Sequence, residues 1–247
     1  MPRRSSPPIS RRDRPAKPAL TYEGIVATAV RLMQAEGLQR VTMRRLAQEL
    51  DTGAASLYVY VANTAELHAA ILEDLLGALD LKPASISASN NDDNNNNDND
   101  NKPGDWRERL VTLLVTYTQL LFQHPALARS ALVARPSGPN YLALLEAVLA
   151  LLHEGEMPDA QAAWGVDVLL QVATATAAEQ SVRDEDDAAE AEFAAMVDAV
   201  RNTDPSSHPR LAAIGDDLFS GDPEERLSWA FRALINGALA TPRLPAH

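Results

Sequence analysis

Apolar residues recur at intervals of three and four along most of the chain, the period of an amphipathic helix, outside the first twenty residues and one central polar stretch. No run of alternating β-branched residues passes for a strand, so the pattern predicts an all-α fold. Val26, Ala29, Val30 and Met33 form the stripe of a first helix, which stops at Gly37, a residue suited to a left-handed C-cap. Thr42 is the N-cap of a short second helix over 43–50, with Val41 set to pack on Leu46 as a hydrophobic staple. Only Asp51-Thr52-Gly53 separates it from another short helix over 54–61. Asn63 then caps a fourth, with Glu66 in the capping-box position. A helix, a tight turn and a helix in so short a stretch have the geometry of a helix-turn-helix, whose second helix fits a major groove roughly 12 Å wide.

Further along, the period predicts helices over 105–124, 126–134, 139–154, 159–182, 188–201, 209–219 and 223–240, a larger helical bundle after the N-terminal helix-turn-helix domain. Residues 162–178 are apolar or small all round except at Asp167, Gln171, Thr174 and Thr176, so that helix is buried on several sides. The last helix opens on Asp222-Pro223-Glu224-Glu225, a capping box with Pro at its first position. It carries Leu227, Phe231, Leu234 and Ala238 on one face. Trp229, Ala233, Asn236, Gly237 and Ala240 on the other are mostly small residues that admit a close neighbour. Two such faces imply two packing partners.

Charge refines this picture. The net charge of -12 is uneven: residues 1–60 hold ten Lys and Arg against five Asp and Glu, whereas residues 61–247 hold 12 against 29. A basic head on an acidic body suggests that only the head meets a polyanion. Residues 1–20, rich in Pro, Ser and Arg, read as a disordered basic arm, either reaching DNA or serving as a solubilising tail. Within a linker or loop over 82–104, residues 90–101 are Asn and Asp alone, and their acidity disfavours DNA. The acidic run 183–192 reads as a solvated turn and helix start. The chain has no Cys, which excludes disulfides, thiolate metal sites and cysteine nucleophiles and fits a reducing compartment. Neither a signal-peptide core nor an apolar window of membrane-spanning length is present, so a soluble cytoplasmic protein with no membrane partner is expected.

Candidate chemistry concentrates in the head. Ala54, Ala55 and Ser56 give the third helix a slim end that can approach base edges, and Tyr58 and Tyr60 can reach phosphates. Arg44 and Arg45, one turn from Thr42, can grip the DNA backbone or, for Arg44, a guanine edge. Asn63 and Thr64 open the fourth helix, whose N-terminus points partial positive charge outward. The competing reading of Tyr58 is a core tyrosine packed on the first helix. Catalytic candidates are poor. His153-Glu154 is followed by Gly155-Glu156, so the HExxH zinc motif is absent. Neither GxSxG nor a glycine-rich phosphate loop occurs, and His124-Pro125 and His208-Pro209 look like helix punctuation. No catalytic, metal or cofactor site is predicted. The alternative to a DNA-binding protein is a helical interaction or scaffold module, which sequence-specific duplex binding with a steep salt dependence would exclude.

The strings AVRLMQAEGLQRVTMRRLAQEL and SLYVYVANTAEL, within residues 22–76, resemble the DNA-binding domain of the TetR family of transcription regulators. The resemblance rests on the Gly after the first helix, the Val-Thr cap, Leu46-Ala47, Leu57-Tyr58-x-Tyr60-Val61 and Leu67. Asp51 replaces the usual turn glycine, which Asp tolerates in the left-handed region. Thr64 replaces a frequent phosphate-gripping Lys, leaving backbone amides to serve. The second half resembles the family's ligand-binding and dimerisation domain through helix number, order and the closing helix pair. The resemblance implies a homodimer through the last long helices and a repressor binding a palindromic operator of double-stranded DNA. It assigns residues 21–81 to DNA reading and 105–240 to a small-molecule effector. It also sets Tyr117, Phe122, Tyr141 and Trp164 around a pocket, with Gln171 and His124 as polar contacts. Those aromatics filling the core is the competing reading. With no basic cluster in this half, the expected effector is largely apolar and neutral or cationic.

Overall fold

The computed structural model describes residues 19–82, 105–133, 136–184 and 188–243. The basic arm up to residue 18 and the Asn/Asp-rich stretch lie outside the described residues. Among the described residues the chain is helical throughout. It comprises α1 (Tyr22–Glu36), a 3-10 turn (Leu38–Arg40), α2 (Met43–Glu49), α3 (Ala54–Leu57), α4 (Thr64–Leu76), α5 (Trp106–Phe122), α6 (Pro125–Ala131), α7 (Pro139–Glu154), α8 (Asp159–Asp184), α9 (Ala189–Arg201), α10 (Pro209–Leu218) and α11 (Pro223–Ala240). None of these helices is long and apolar enough to cross a membrane.

Local chemistry accounts for the ends. Thr21 caps α1 by accepting the Gly24 amide, and the helix stops where Gly37 turns to φ 85°, ψ 154°, a region closed to side-chain-bearing residues. Thr42 Oγ1 accepts the Arg45 amide at the head of α2. Asp51, in the tight turn, adopts φ 48°, the left-handed conformation its sequence position demands. The helix over 54–61 is shorter than the periodicity suggests. Regular helix ends at Leu57, and the amides of Tyr60 and Val61 both donate to its carbonyl in one closing turn. The run Tyr58-Val59-Tyr60-Val61 is rich in residues that lose rotamer freedom in a helix, and Asn63 must be extended to cap α4.

Two hydrophobic cores result. The N-terminal one gathers Ile25, Ala29, Leu32, Leu46, Leu57, Val61, Leu67 and Ile71, together with Leu127 of α6. Burying each larger aliphatic contributes about 1.5–3 kcal/mol. The second, larger core joins α5, α6, α7, α8 and α11, and takes in Leu72 and Leu76 of α4. α4 therefore belongs to both, its first half to the head and its last turns to the body. It packs against α1 on one side and α6 and α7 on the other.

α8 is buried along Ala162, Val166, Leu169, Leu170, Ala173 and Ala177, as the nearly all-apolar sequence requires. α11 begins with a complete capping box between Asp222 and Glu225. It buries Leu227, Phe231 and Ile235 on the body. The Arg232 guanidinium forks onto the Glu108 carboxylate of α5 at 2.8 and 2.9 Å. Gln161 Nε2 donates to the last-turn carbonyls of Ala238 and Leu239. The opposite face of α11 stays open, with Trp229 70% exposed, and continues onto α8, where Trp164 is 59% exposed. Between α8 and α11 runs an apolar groove of about 310 Å³, bordered by Trp164, Val168, Ala233, Gly237 and Ala238. α9 and α10 pack on one another through the edge-on pair Phe193–Phe219 and the Arg201–Asp216 ion pair, with no residue of α9 buried.

Candidate DNA-reading surface and effector cavity

On the head, α2 and α3 each expose side chains to solvent. Arg44 is exposed and, among the described residues, its guanidinium has no ion-pair partner. Its neighbour Arg45 is engaged internally: Nη2 donates to Glu36 Oε1 at 2.6 Å and Nη1 to Glu49 Oε2 at 2.9 Å, while Arg31 holds the other oxygen of Glu49. These contacts hold both carboxyls below their ordinary range, Glu36 first through the Arg45 hydrogen bond and Glu49 first through that of Arg31, and they raise the Arg45 guanidinium. Arg45 thus ties α2 to α1. Of this adjacent pair, Arg44 is the one left without an ion-pair partner among the described residues.

Ala55 and Ser56 are exposed at the start of α3, and Ala54 is partly covered. Tyr58 is 53% exposed, so it is not the core tyrosine of the competing reading, whereas the Tyr60 hydroxyl donates to the Leu20 carbonyl at 2.8 Å. Tyr60 therefore uses its proton to hold the segment before α1. Val59 is 81% exposed beside Tyr58. The sequence carried a signal for it, because Leu57 and Val61 are four apart and both buried, which turns Val59 outward. Thr42 and Asn63 both act as caps, Asn63 Oδ1 accepting the Glu66 amide at 2.9 Å. The Glu66 carboxylate accepts the Ala62 amide rather than that of Asn63, so the expected box closes one residue early. Thr64 is exposed at the first position of α4.

In the body, a cavity of about 60 Å³ is lined by Tyr117, Ala131, Leu132, Pro136, Tyr141, Leu170, Gln171 and Thr174. Thr174 donates its own proton to the Leu170 carbonyl at 2.8 Å, so in the 3.0 Å contact between the two hydroxyls Tyr117 is the donor and Thr174 the acceptor. Tyr117, Tyr141 and Gln171 of the expected pocket are brought together here. The other three are not. Trp164 lies on the outer face of α8 under the Arg243 guanidinium, 4.2 Å from its ring centroid, because α8 is apolar on both sides and this side faces the α11 groove. Phe122 ends α5 at the surface. His124 precedes α6 as its N-cap residue, half-buried, and burial lowers its pKa. Sequence reasoning missed Thr174 as a lining residue, although it stood out as a polar break in an apolar helix. It also missed His68, whose Nδ1 lies 2.7 Å from Ser130 Oγ across the α4–α6 contact.

This division into a helix-turn-helix head and a helical body matches two family models. One, of bacterial regulatory proteins of the tetR family, covers residues 25–71, and the other, the tetracyclin repressor-like C-terminal domain, covers residues 99–241. The chain belongs to the TetR family. Among its relatives of known structure is SCO7704 of Streptomyces coelicolor, 53% identical, with a TM-score of 0.73 over 94% of this chain and 100% of that one. The TetR family protein ActR of Streptomyces coelicolor, solved in complex with actinorhodin, is 31% identical, with a TM-score of 0.71 over 90% of this chain and 97% of that one. The HTH-type transcriptional repressor DrrR1 of Streptomyces coeruleorubidus is 28% identical over 86% of this chain and 75% of its own length. An HTH-type transcriptional regulator of Saccharopolyspora erythraea is 30% identical over 55% of this chain, which spans only half the length of that protein. In this TetR-family chain α2 and α3 lie within the match to the N-terminal family model, and the cavity lies within the C-terminal domain.

Proposed function

We propose that this chain is a cytoplasmic, ligand-responsive repressor that binds a palindromic operator as a homodimer and leaves it when a small, largely apolar effector enters the body. Residues 21–81 read the DNA and residues 105–240 bind the effector and the second copy. The observation that carries the DNA reading is an uncommitted Arg44 on α2 together with the slim start of α3 at Ala55 and Ser56 and an exposed Tyr58 directly after its end. Arg44 takes a base edge or phosphate, Tyr58 a phosphate, and the α4 N-terminus a phosphate through its backbone amides. The open groove between α8 and α11 supports the dimer, since exposed tryptophans flanked by Ala and Gly suit close approach of the same two helices from another copy.

The cavity supports the effector reading. Its described lining is largely apolar with three hydroxyls and one amide, and carries no charged side chain. At about 60 Å³ it is far below the roughly 300–1,000 Å³ of a typical ligand site, so an effector has to open it. The walls formed by α6 and α7 rest on α4, so opening is coupled to the head. ActR, solved with actinorhodin, supplies the first compound to try.

Selection of bound duplexes from a random pool tests the DNA reading. A palindromic motif is expected, with half-sites about one helical turn, roughly 34–36 Å, apart or somewhat more. Recovery of no motif at moderate salt would favour the scaffold reading. A thermal-shift screen of actinorhodin and a mixed small-molecule library, followed by displacement of the selected duplex, tests the effector. Hits that stabilise the protein but leave DNA binding untouched, or hits that are all anionic, would refute it.

A further inference from the structure

α7 starts without a cap of its own. Its N-cap residue is Gly138, which has no side chain, and its first helical residue is Pro139, which has no amide proton. The next two amides find their acceptor on another helix: Asn140 N–H donates to Glu73 Oε1 at 2.5 Å and Tyr141 N–H to Glu73 Oε2 at 3.1 Å. Asn140 Nδ2 returns the contact by donating to the Glu73 carbonyl at 2.9 Å. A Cβ on Gly138 would sit on the Glu73 carboxylate, so the glycine is what lets the carboxylate reach the helix end. A carboxylate is also the group that the positive end of a helix favours most.

We infer that Glu73 is a positioning residue, a cap supplied from α4 that ties the movement of α7 at the effector cavity to the helix carrying the DNA-reading head. The inference rests on the regulator reading proposed above. The Tyr141 side chain lines the cavity while its amide is held by Glu73, so an effector that displaces the tyrosine pulls directly on α4. A second tie, His68 to Ser130, joins α4 to the other wall at α6, one residue before the lining residues Ala131 and Leu132. The cavity's two movable walls are therefore fastened to one helix by two separate side chains. Glu73 serves one of them.

Coupling is reciprocal, so the tie can be tested with DNA alone: if α7 moves the head, DNA on the head must steady α7. The probe is the selected operator duplex, and the readout is amide exchange by mass spectrometry on the full-length protein, with and without DNA. In the wild type, DNA is expected to slow exchange about fivefold or more in the first turns of α7 and also in α6, a typical coupling. Glu73→Gln removes the charge from α4. Gly138→Ala pushes the carboxylate away from the α7 side and leaves α4 untouched. Both variants should still bind the duplex, should lose the DNA-induced slowing in α7, and should keep it in α6. A merely structural lesion would speed exchange in both helices with and without DNA. DNA-induced slowing of α7 that persists in both variants, or that is absent from a wild type that does bind DNA, overturns the inference. A wild type that binds no duplex overturns the regulator reading instead.

Discussion

Replacing Trp229 with Ala should dismantle the proposed homodimer, and the structure sets the scale. The indole is 70% exposed on the open face of α11, one turn ahead of Ala233. For a tryptophan surface of roughly 250 Å², about 175 Å² is available to a partner, which at about 25 cal/mol/Å² corresponds to about 4 kcal/mol. A two-fold dimer places two copies in the interface, for an upper bound of about 8 kcal/mol. Alanine keeps part of the contact and association has its own costs, so half of that bound, about 4 kcal/mol, is a reasonable expectation. That raises the dissociation constant about a thousandfold. Sedimentation velocity across a concentration series reads this directly. The wild type should remain dimeric where the variant is monomeric, with unchanged helix content. A variant as dimeric as the wild type would show that this face is not the interface, and a monomeric wild type would remove the symmetry argument altogether.

Arg44→Ala should weaken operator binding by about 1–3 kcal/mol and relax preference at one base position if the guanidinium holds a guanine, whereas Tyr58→Phe should weaken all duplexes alike; competition titrations against single-base operator variants separate the two. Arg45→Ala should instead lower the melting temperature of the head, because it leaves Glu36 unpaired and strips Glu49 of one of its two arginines, and DNA binding at low temperature should survive. Gly37→Ala meets no neighbouring atom, so its cost is the backbone strain of a positive φ, about 1–3 kcal/mol by denaturant titration. Burial lowers the pKa of His68 and of His124, so the unfolded chain takes up protons first as pH falls below the ordinary histidine value near 6.5. Stability should therefore fall between pH 7 and pH 5, and His68→Asn should flatten that slope.

Much of the architecture was legible because its punctuation is chemical. Gly37 marks a helix end by a backbone conformation that other residues avoid, Asp222 by its side-chain cap and the prolines at 125, 139 and 209 by their missing amide proton, and the helices over 139–154 and 223–240 stand where the period puts them. Legibility stopped where a choice depended on tertiary partners. Arg44 and Arg45 are adjacent and chemically equivalent in the sequence, and only the folded positions of Glu36 and Glu49 assign Arg45 to the ion-pair network with α1 and leave Arg44 outside it. Trp164 sits on a helix that is apolar on both sides, so periodicity shows that it is packed or covered but not whether by the cavity or by a second chain. Glu73 carries no signal in the sequence for its contact with α7. Its partners lie 67 and 68 residues away, and neither spacing nor composition points to them.

The most direct test of the account is the binding of the full-length protein to the selected palindrome and to one isolated half-site, followed by the mass of each complex in the ultracentrifuge. Two protomers should load the palindrome in a single step, and the half-site should be weaker by more than about a hundredfold, since the second head of the dimer then finds only non-specific DNA. A single protomer on the palindrome, or equal affinity for whole and half sites, would contradict a symmetric dimeric reader.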